Sequence, residues 1–365
     1  MADRFLPRER FSALLGVLQD GGYRCLGPRV REGAIVMEEV VGVDDLCFGL
    51  RDRQAPGSYR LEEGTGRYFA WANGPTALKP LTFAPRETLW RARREEDGLH
   101  FEAEEVDVEP LAVIGVRACD LAGLAIQDRH FLEGEPDPHY QARRERLFLV
   151  AVNCTHPADT CFCASTGDGP RAEYGFDLAL SELDEGFLVE GGSEAGRTVL
   201  EALPTESAEA AQNRCANAEI EAAARAQVRG LPSRNLRDFL FERQTHPRWE
   251  EVAERCLSCG NCTNVCPTCF CHSLETVPDL EGRVSDRVRQ WDSCFTSGHS
   301  YIHGIVVRAT TTNRYRQWLT HKLGGWHDQF GRSGCVGCGR CITWCPTGID
   351  ITEEIAALGR ESDHA

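Results

Sequence analysis

The sequence predicts an α/β domain over residues 1–232 followed by a smaller, mostly α-helical domain over residues 233–365. Three observations carry this. Two short apolar runs, Leu111–Val116 and Leu147–Val152, flank a stretch of helical spacing. A turn-rich segment, Gly230-Leu-Pro232-Ser, marks a boundary. Beyond it a cysteine pattern with strict spacing occurs twice. A length of 365 residues suits two domains, and 42% hydrophobic content is enough for ordinary cores.

In chain order, residues 11–18 have the spacing of a short amphipathic helix closed by Gly21-Gly22. Residues 32–110 mix brief apolar runs with Gly and Pro and read as strands and turns, with a turn at Gly64-Thr-Gly66; Gly191-Gly192, further on, reads as another turn. Leu111–Val116 reads as a buried strand, 121–131 as a helix and Leu147–Val152 as a second buried strand. That order implies parallel pairing through a right-handed crossover. Residues 186–190 suggest another strand. The Ala-, Glu- and Arg-rich stretch 193–227 suggests helix broken at Pro204. A helix reaching Phe241 follows, and Pro247 can open the helix that leads into Cys256.

The repeated pattern is Cys256-x2-Cys259-x2-Cys262-x3-Cys266-Pro and Cys335-x2-Cys338-x2-Cys341-x3-Cys345-Pro. It is the bacterial ferredoxin run for [4Fe-4S] clusters. Zinc sites use paired Cys-x2-Cys hooks, so the third cysteine and the closing Cys-Pro favour iron–sulfur. Crossed ligation assigns Cys256, Cys259, Cys262 and Cys345 to one cluster, and Cys335, Cys338, Cys341 and Cys266 to the other. The domain is therefore expected to be ferredoxin-like, with two clusters. Ser258, Gly260, Gly337 and Gly339 between the ligands would let backbone N–H groups approach sulfur. The long insertion 267–334 is unusually basic for this chain, with Arg283, Arg287, Arg289, Arg308, Arg314, Arg316 and Lys322. That is either a solvated face or charge complementary to clusters or an acidic partner. Cys269, Cys271 and Cys294 fit neither run and read as small buried hydrophobes or as linings of a cluster pocket. His272 and Trp344 read as packing residues. His299 and His303, four apart, would share a helix face and read as surface or packing residues.

A less regular set lies in the first domain. Cys119 follows one predicted strand and Cys154 the next, which places both thiols at the carboxyl edge of the sheet, where open α/β sheets bind ligands. Cys161 and Cys163 follow closely, before the Gly-containing stretch 164–170. These four make the number a third [4Fe-4S] cluster needs, with Asp120 a conceivable substitute ligand. The irregular spacing leaves open a set of buried thiols without metal.

The net charge of −16 argues against general nucleic-acid binding, and no apolar run reaches membrane-spanning length. The N-terminus lacks the apolar core of a signal peptide, and clustered cysteines suit a reducing, cytoplasmic setting. No Gly-x-Gly-x-x-Gly after a strand and no P-loop occur.

An ordered series of blocks carries a resemblance: Ile114-Gly-Val-Arg-Ala-Cys-Asp-Leu121, Asn153-Cys154 with Thr160-Cys-Phe-Cys163, Asn261 through Cys271, Trp291-Asp-Ser-Cys294, Arg314-Tyr-Arg-Gln-Trp318 and Gly334 through Pro346. Over roughly residues 110 to 355 the chain resembles the β subunit of cytoplasmic [NiFe] sulfhydrogenases. It equally resembles the electron-feeding iron–sulfur subunit of anaerobic sulfite reductases. The resemblance implies an electron relay between a flavoprotein that binds FAD and NAD(P) and a second partner. That partner is the hydrogenase small and large subunits, or a siroheme subunit. It also supports Cys119, Cys154, Cys161 and Cys163 as ligands. Catalytic residues are expected in the partner subunits, none in this chain. An iron–sulfur sensor or structural protein is the reading from another class, disfavoured because one cluster would suffice for sensing.

Overall fold

A computed structural model describes residues 4–76 and 78–360. Its centre is an eight-stranded mixed sheet. Four parallel strands form the middle, in the order Leu178–Glu182, Leu147–Val152, Leu111–Val116 and Arg24–Arg31. Antiparallel strands finish both sides, Ala34–Glu39 on one and Gly186–Gly191, Arg4–Pro7 and Glu206–Ser207 on the other. All six residues of Leu111–Val116 are buried, as a parallel strand covered on both faces requires. The helix after it spans Ala118–Leu132, starting earlier than its apolar spacing suggests and bringing Cys119 into its first turn. The expected break at Pro204 separates helices Glu194–Ala202 and Ala210–Arg225.

The insertion departs from the helical expectation. His272–Pro278 and Val284–Trp291 form a hairpin, and together with Arg86–Glu95 and Gly98–Ala103 they build a second, four-stranded sheet. The two arms carry Leu274, Thr276 and Val277, then Val284 and Val288, strand-favouring residues among polar and charged ones. This sheet draws strands from both sides of residue 232. One joint holding it is ionic. Arg289, 3% exposed, pairs with Glu87 at 2.6 Å and with Asp137, while Arg143 reaches Glu87 at 2.7 Å.

Helices Arg237–Phe241, Arg248–Arg255, Thr311–Thr320 and Ile351–Leu358 surround a core of Leu240, Trp249, Tyr315, Trp318 and Ile355. Phe162, from the first half of the chain, is fully buried in this core. Phe270, from the second half, stacks on His130 and lies edge-on to Phe131 of the first. Each half thus anchors an aromatic ring in the other.

Candidate metal centre

The two cysteine runs fold alike. Helix Arg248–Arg255 delivers Cys256, and the following Ser258 and Gly260 have φ of 51° and 77°. Gly337 and Gly339, at the same offsets after Cys335, have φ of 64° and 74°. In each run the backbone then enters a short helix, Asn261–Asn264 or Arg340–Thr343. The left-handed residues curl the chain around its own thiols, which is why glycine suits three of the four positions.

Cys256, Cys259, Cys262 and Cys345 line one cavity together with Phe295, Tyr315 and Trp318. Cys341 of the second run also lines it. Tyr315 Oη and Trp318 Nε1 are buried without a hydrogen-bond partner, so this apolar cavity has two unused donors in its wall. Inorganic sulfide would accept from such donors, and the donor set fits an iron–sulfur cluster. Cys335, Cys338 and Cys341 gather with Cys266, each within electrostatic reach of the others. Burial pushes the Cys335 thiol up to about 12 and holds those of Cys262 and Cys341 well above their ordinary range. Thiolates in such a place need a positive counterpart, which bound iron would supply.

In the third set, Cys119 lies within electrostatic reach of Cys163 and also of Cys338 in the second run, and Cys161 within reach of Cys163 and Cys154. Gln227 Nε2 donates to Cys163 Sγ at 3.4 Å, and Asn73 Nδ2 to Cys161 Sγ at 3.8 Å. Asp120 is not a substitute ligand in this arrangement. Its two oxygens accept from Arg340 at 2.6 and 3.1 Å, in a pair buried on both sides. Among the described residues, no three of these thiols bring their sulfurs within 4.8 Å of one another. Tetrahedral zinc with bonds of about 2.3 Å would draw them to about 3.8 Å.

The three sets adjoin. Cys119, Cys163 and Cys338 belong to one packed group, and Cys341 lies within electrostatic reach of Cys262. The second run is pressed directly onto the third set: Phe162 N donates to Gly337 O at 2.8 Å. A Cβ on Gly337 would sit 2.5 Å from Cys163 N.

Several residues around the thiols escape a reading by motif. The chain has two lysines, Lys79 and Lys322, and both are buried beside the cysteines. Lys322 Nζ donates to Cys266 Sγ at 3.4 Å and to Thr268 Oγ1 at 2.8 Å. Lys79 Nζ donates to the carbonyls of Thr263 and Asn264 and sits 4.0 Å above the Trp291 ring. The scarcity of lysine is the one signal of them in the sequence. His299 and His303 do not share a helix face: His299 lies in a short 3-10 turn and His303 at a tight turn with φ of 48°. Among the described residues, no helix is long and apolar enough to cross a membrane.

Fold and thiol geometry define an iron–sulfur protein, and residues 255–349 match the family described as 4Fe-4S dicluster domain. The chain is also 35% identical to sulfhydrogenase 2 subunit beta of Pyrococcus furiosus over 283 residues, covering 75% of this chain and 81% of the relative. It belongs to the sulfhydrogenase beta-subunit family. No solved structure matches it.

Proposed function

We propose that the chain is the iron–sulfur electron-transfer subunit of a cytoplasmic [NiFe] hydrogenase of the sulfhydrogenase type. It relays electrons between a flavoprotein binding FAD and NAD(P) and the hydrogenase small and large subunits. One observation supports this reading: Cys119 and Cys163 pack with Cys338, and Cys341 lies within electrostatic reach of Cys262, while no nucleotide-binding or nickel-binding motif accompanies these cysteines in the sequence. Clusters bound there supply one-electron transfer. The protein's part is to keep the sets adjacent, exclude water and aim N–H and N⁺–H donors at sulfur. Gly337 N donates to Cys335 Sγ at 3.4 Å, and Lys322 and Gln227 serve Cys266 and Cys163. Such donors tune the reduction potential.

The test is anaerobic affinity purification from the native cell. Copurified nickel and flavin, with clusters reduced by hydrogen, are the expected result. Siroheme in the eluate would instead assign the chain to an anaerobic sulfite reductase. A monomer without flavoprotein would overturn the relay and leave a sensor. The ligand set is checked on the purified chain: a Cys154→Ala, Cys161→Ala double variant should hold about four fewer irons than the parent. Unchanged iron would sink the third cluster.

A further inference from the structure

Cys269, Cys271 and Cys294 belong to none of the three sets, yet they stand in a pattern the chain has already used. Thr160-Cys-Phe-Cys-Ala-Ser165 recurs as Thr268-Cys-Phe-Cys-His-Ser273. The two copies are placed alike, each against the second cysteine run. Thr160 and Thr268 are fully buried. Thr160 Oγ1 bonds Thr343 Oγ1 at 2.8 Å, and Thr268 Oγ1 donates to Gly334 O at 2.7 Å. The first copy contributes two thiols to the third set.

The second copy lies where the hairpin gathers further donors. The ladder ends at the pair His272 and Trp291, and Asp292 N donates to Cys271 O at 2.9 Å. This closure brings Cys294 against Cys271, and Cys269 lies within electrostatic reach of Cys271. The His299 ring also meets the Cys271 thiol. His299 Nδ1 is 3.2 Å from Asp292 Oδ2. A carboxylate accepts there, so Nδ1 donates. That arrangement orients a histidine for metal ligation.

We propose that Cys269, Cys271, Cys294 and His299 hold a fourth iron–sulfur cluster, with three thiolate ligands and one imidazole. The comparison of the two copies rests on reading the third set as a cluster site. The thiol and histidine geometry stands without it.

The full chain, loaded anaerobically, is compared with a Cys271→Ser, Cys294→Ser variant, measuring iron and zinc together. The expected result is a folded variant with about four fewer irons per chain. Unchanged iron overturns the proposal, and so does loss of one zinc in place of iron. The Cys154→Ala, Cys161→Ala variant reports the third set separately, so failure of either assignment is visible alone. If the double serine variant does not fold, His299→Cys decides. It should keep its iron and lose a nitrogen hyperfine coupling that the parent's reduced clusters show by pulsed EPR. A parent without that coupling overturns the site.

Discussion

Replacing Lys322 by methionine removes the ammonium closest to the second thiol set while keeping most of the side chain's volume. Lys322 is 4% exposed, its Nζ 3.4 Å from Cys266 Sγ and 4.7 Å from the Trp326 ring. Burial works to pull its proton off, but the facing Cys266, Cys269 and Cys335 sulfurs outweigh it and hold it well above the ordinary lysine range. It is therefore a fixed positive charge at neutral pH. An electron added to a cluster among these thiols spreads over the iron and sulfide, so about 7 Å is a fair separation; at an effective dielectric near 20 the attraction is about 2.4 kcal/mol. For a one-electron couple that is about 100 mV, at 59 mV per 1.4 kcal/mol. The charge favours the reduced, more negative cluster, so Lys322→Met should lower that cluster's potential by about this amount. Thr268 Oγ1 keeps its bond to Gly334 O at 2.7 Å, so the hydroxyl is not orphaned. The assay is a redox titration followed by EPR on parent and variant. A shift below about 20 mV, roughly a fifth of the Coulomb value, would refute the reasoning. An upward shift, or an equal shift of every cluster, would do the same.

Three further outcomes are expected. Gly337→Ala forces a left-handed alanine against Cys163, costing about 2–4 kcal/mol from conformation and overpacking together; a lowered denaturation midpoint with loosened hydrogen exchange at Phe162 and Cys163 checks it. Arg340→Met strands the buried Asp120 carboxylate and should cost about 3–5 kcal/mol, much of it recovered by adding Asp120→Asn, as a double-mutant cycle in urea would show. At the joint of the second sheet, burial works to raise Glu87 and Asp137, but Arg289, with Arg143 on Glu87 and the Tyr140 N–H on Asp137, holds both below their usual range. Their folded values are depressed, so their stabilisation is complete above the ordinary carboxyl range near pH 4 and is lost as pH falls through the lowered values. Glu87→Gln should therefore weaken the joint by about 3 kcal/mol at pH 7 and flatten its acid sensitivity, read by hydrogen exchange of the 284–291 strand across pH 3–7.

Spacing alone carries the two cysteine runs, because ligation by adjacent turns of one loop is a local property. Cys256, Cys259 and Cys262 must point together wherever that loop is placed. The pairing of Cys345 with the first run and Cys266 with the second is an expectation from the repeat. The central strands are legible too, since a strand buried on both faces writes a continuous apolar run such as Leu111–Val116. The hairpin 272–291 is hidden, because its strand-favouring Leu274, Thr276, Val284 and Val288 are diluted by polar residues on a half-exposed sheet.

The order of residues is thus enough for the cofactor chemistry of the runs and for the parallel core that presents Cys119 and Cys154 at one sheet edge. It is not enough to say which distant groups face the thiols; that came from the folded chain. Lys322 reaches Cys266, Arg340 claims Asp120, and the Cys161 thiol meets Cys338 O, across 56, 220 and 177 residues of sequence. The physical reason is range. Ligand spacing is enforced by a few backbone torsions, whereas charge placement and close packing depend on which surfaces the whole fold brings into contact.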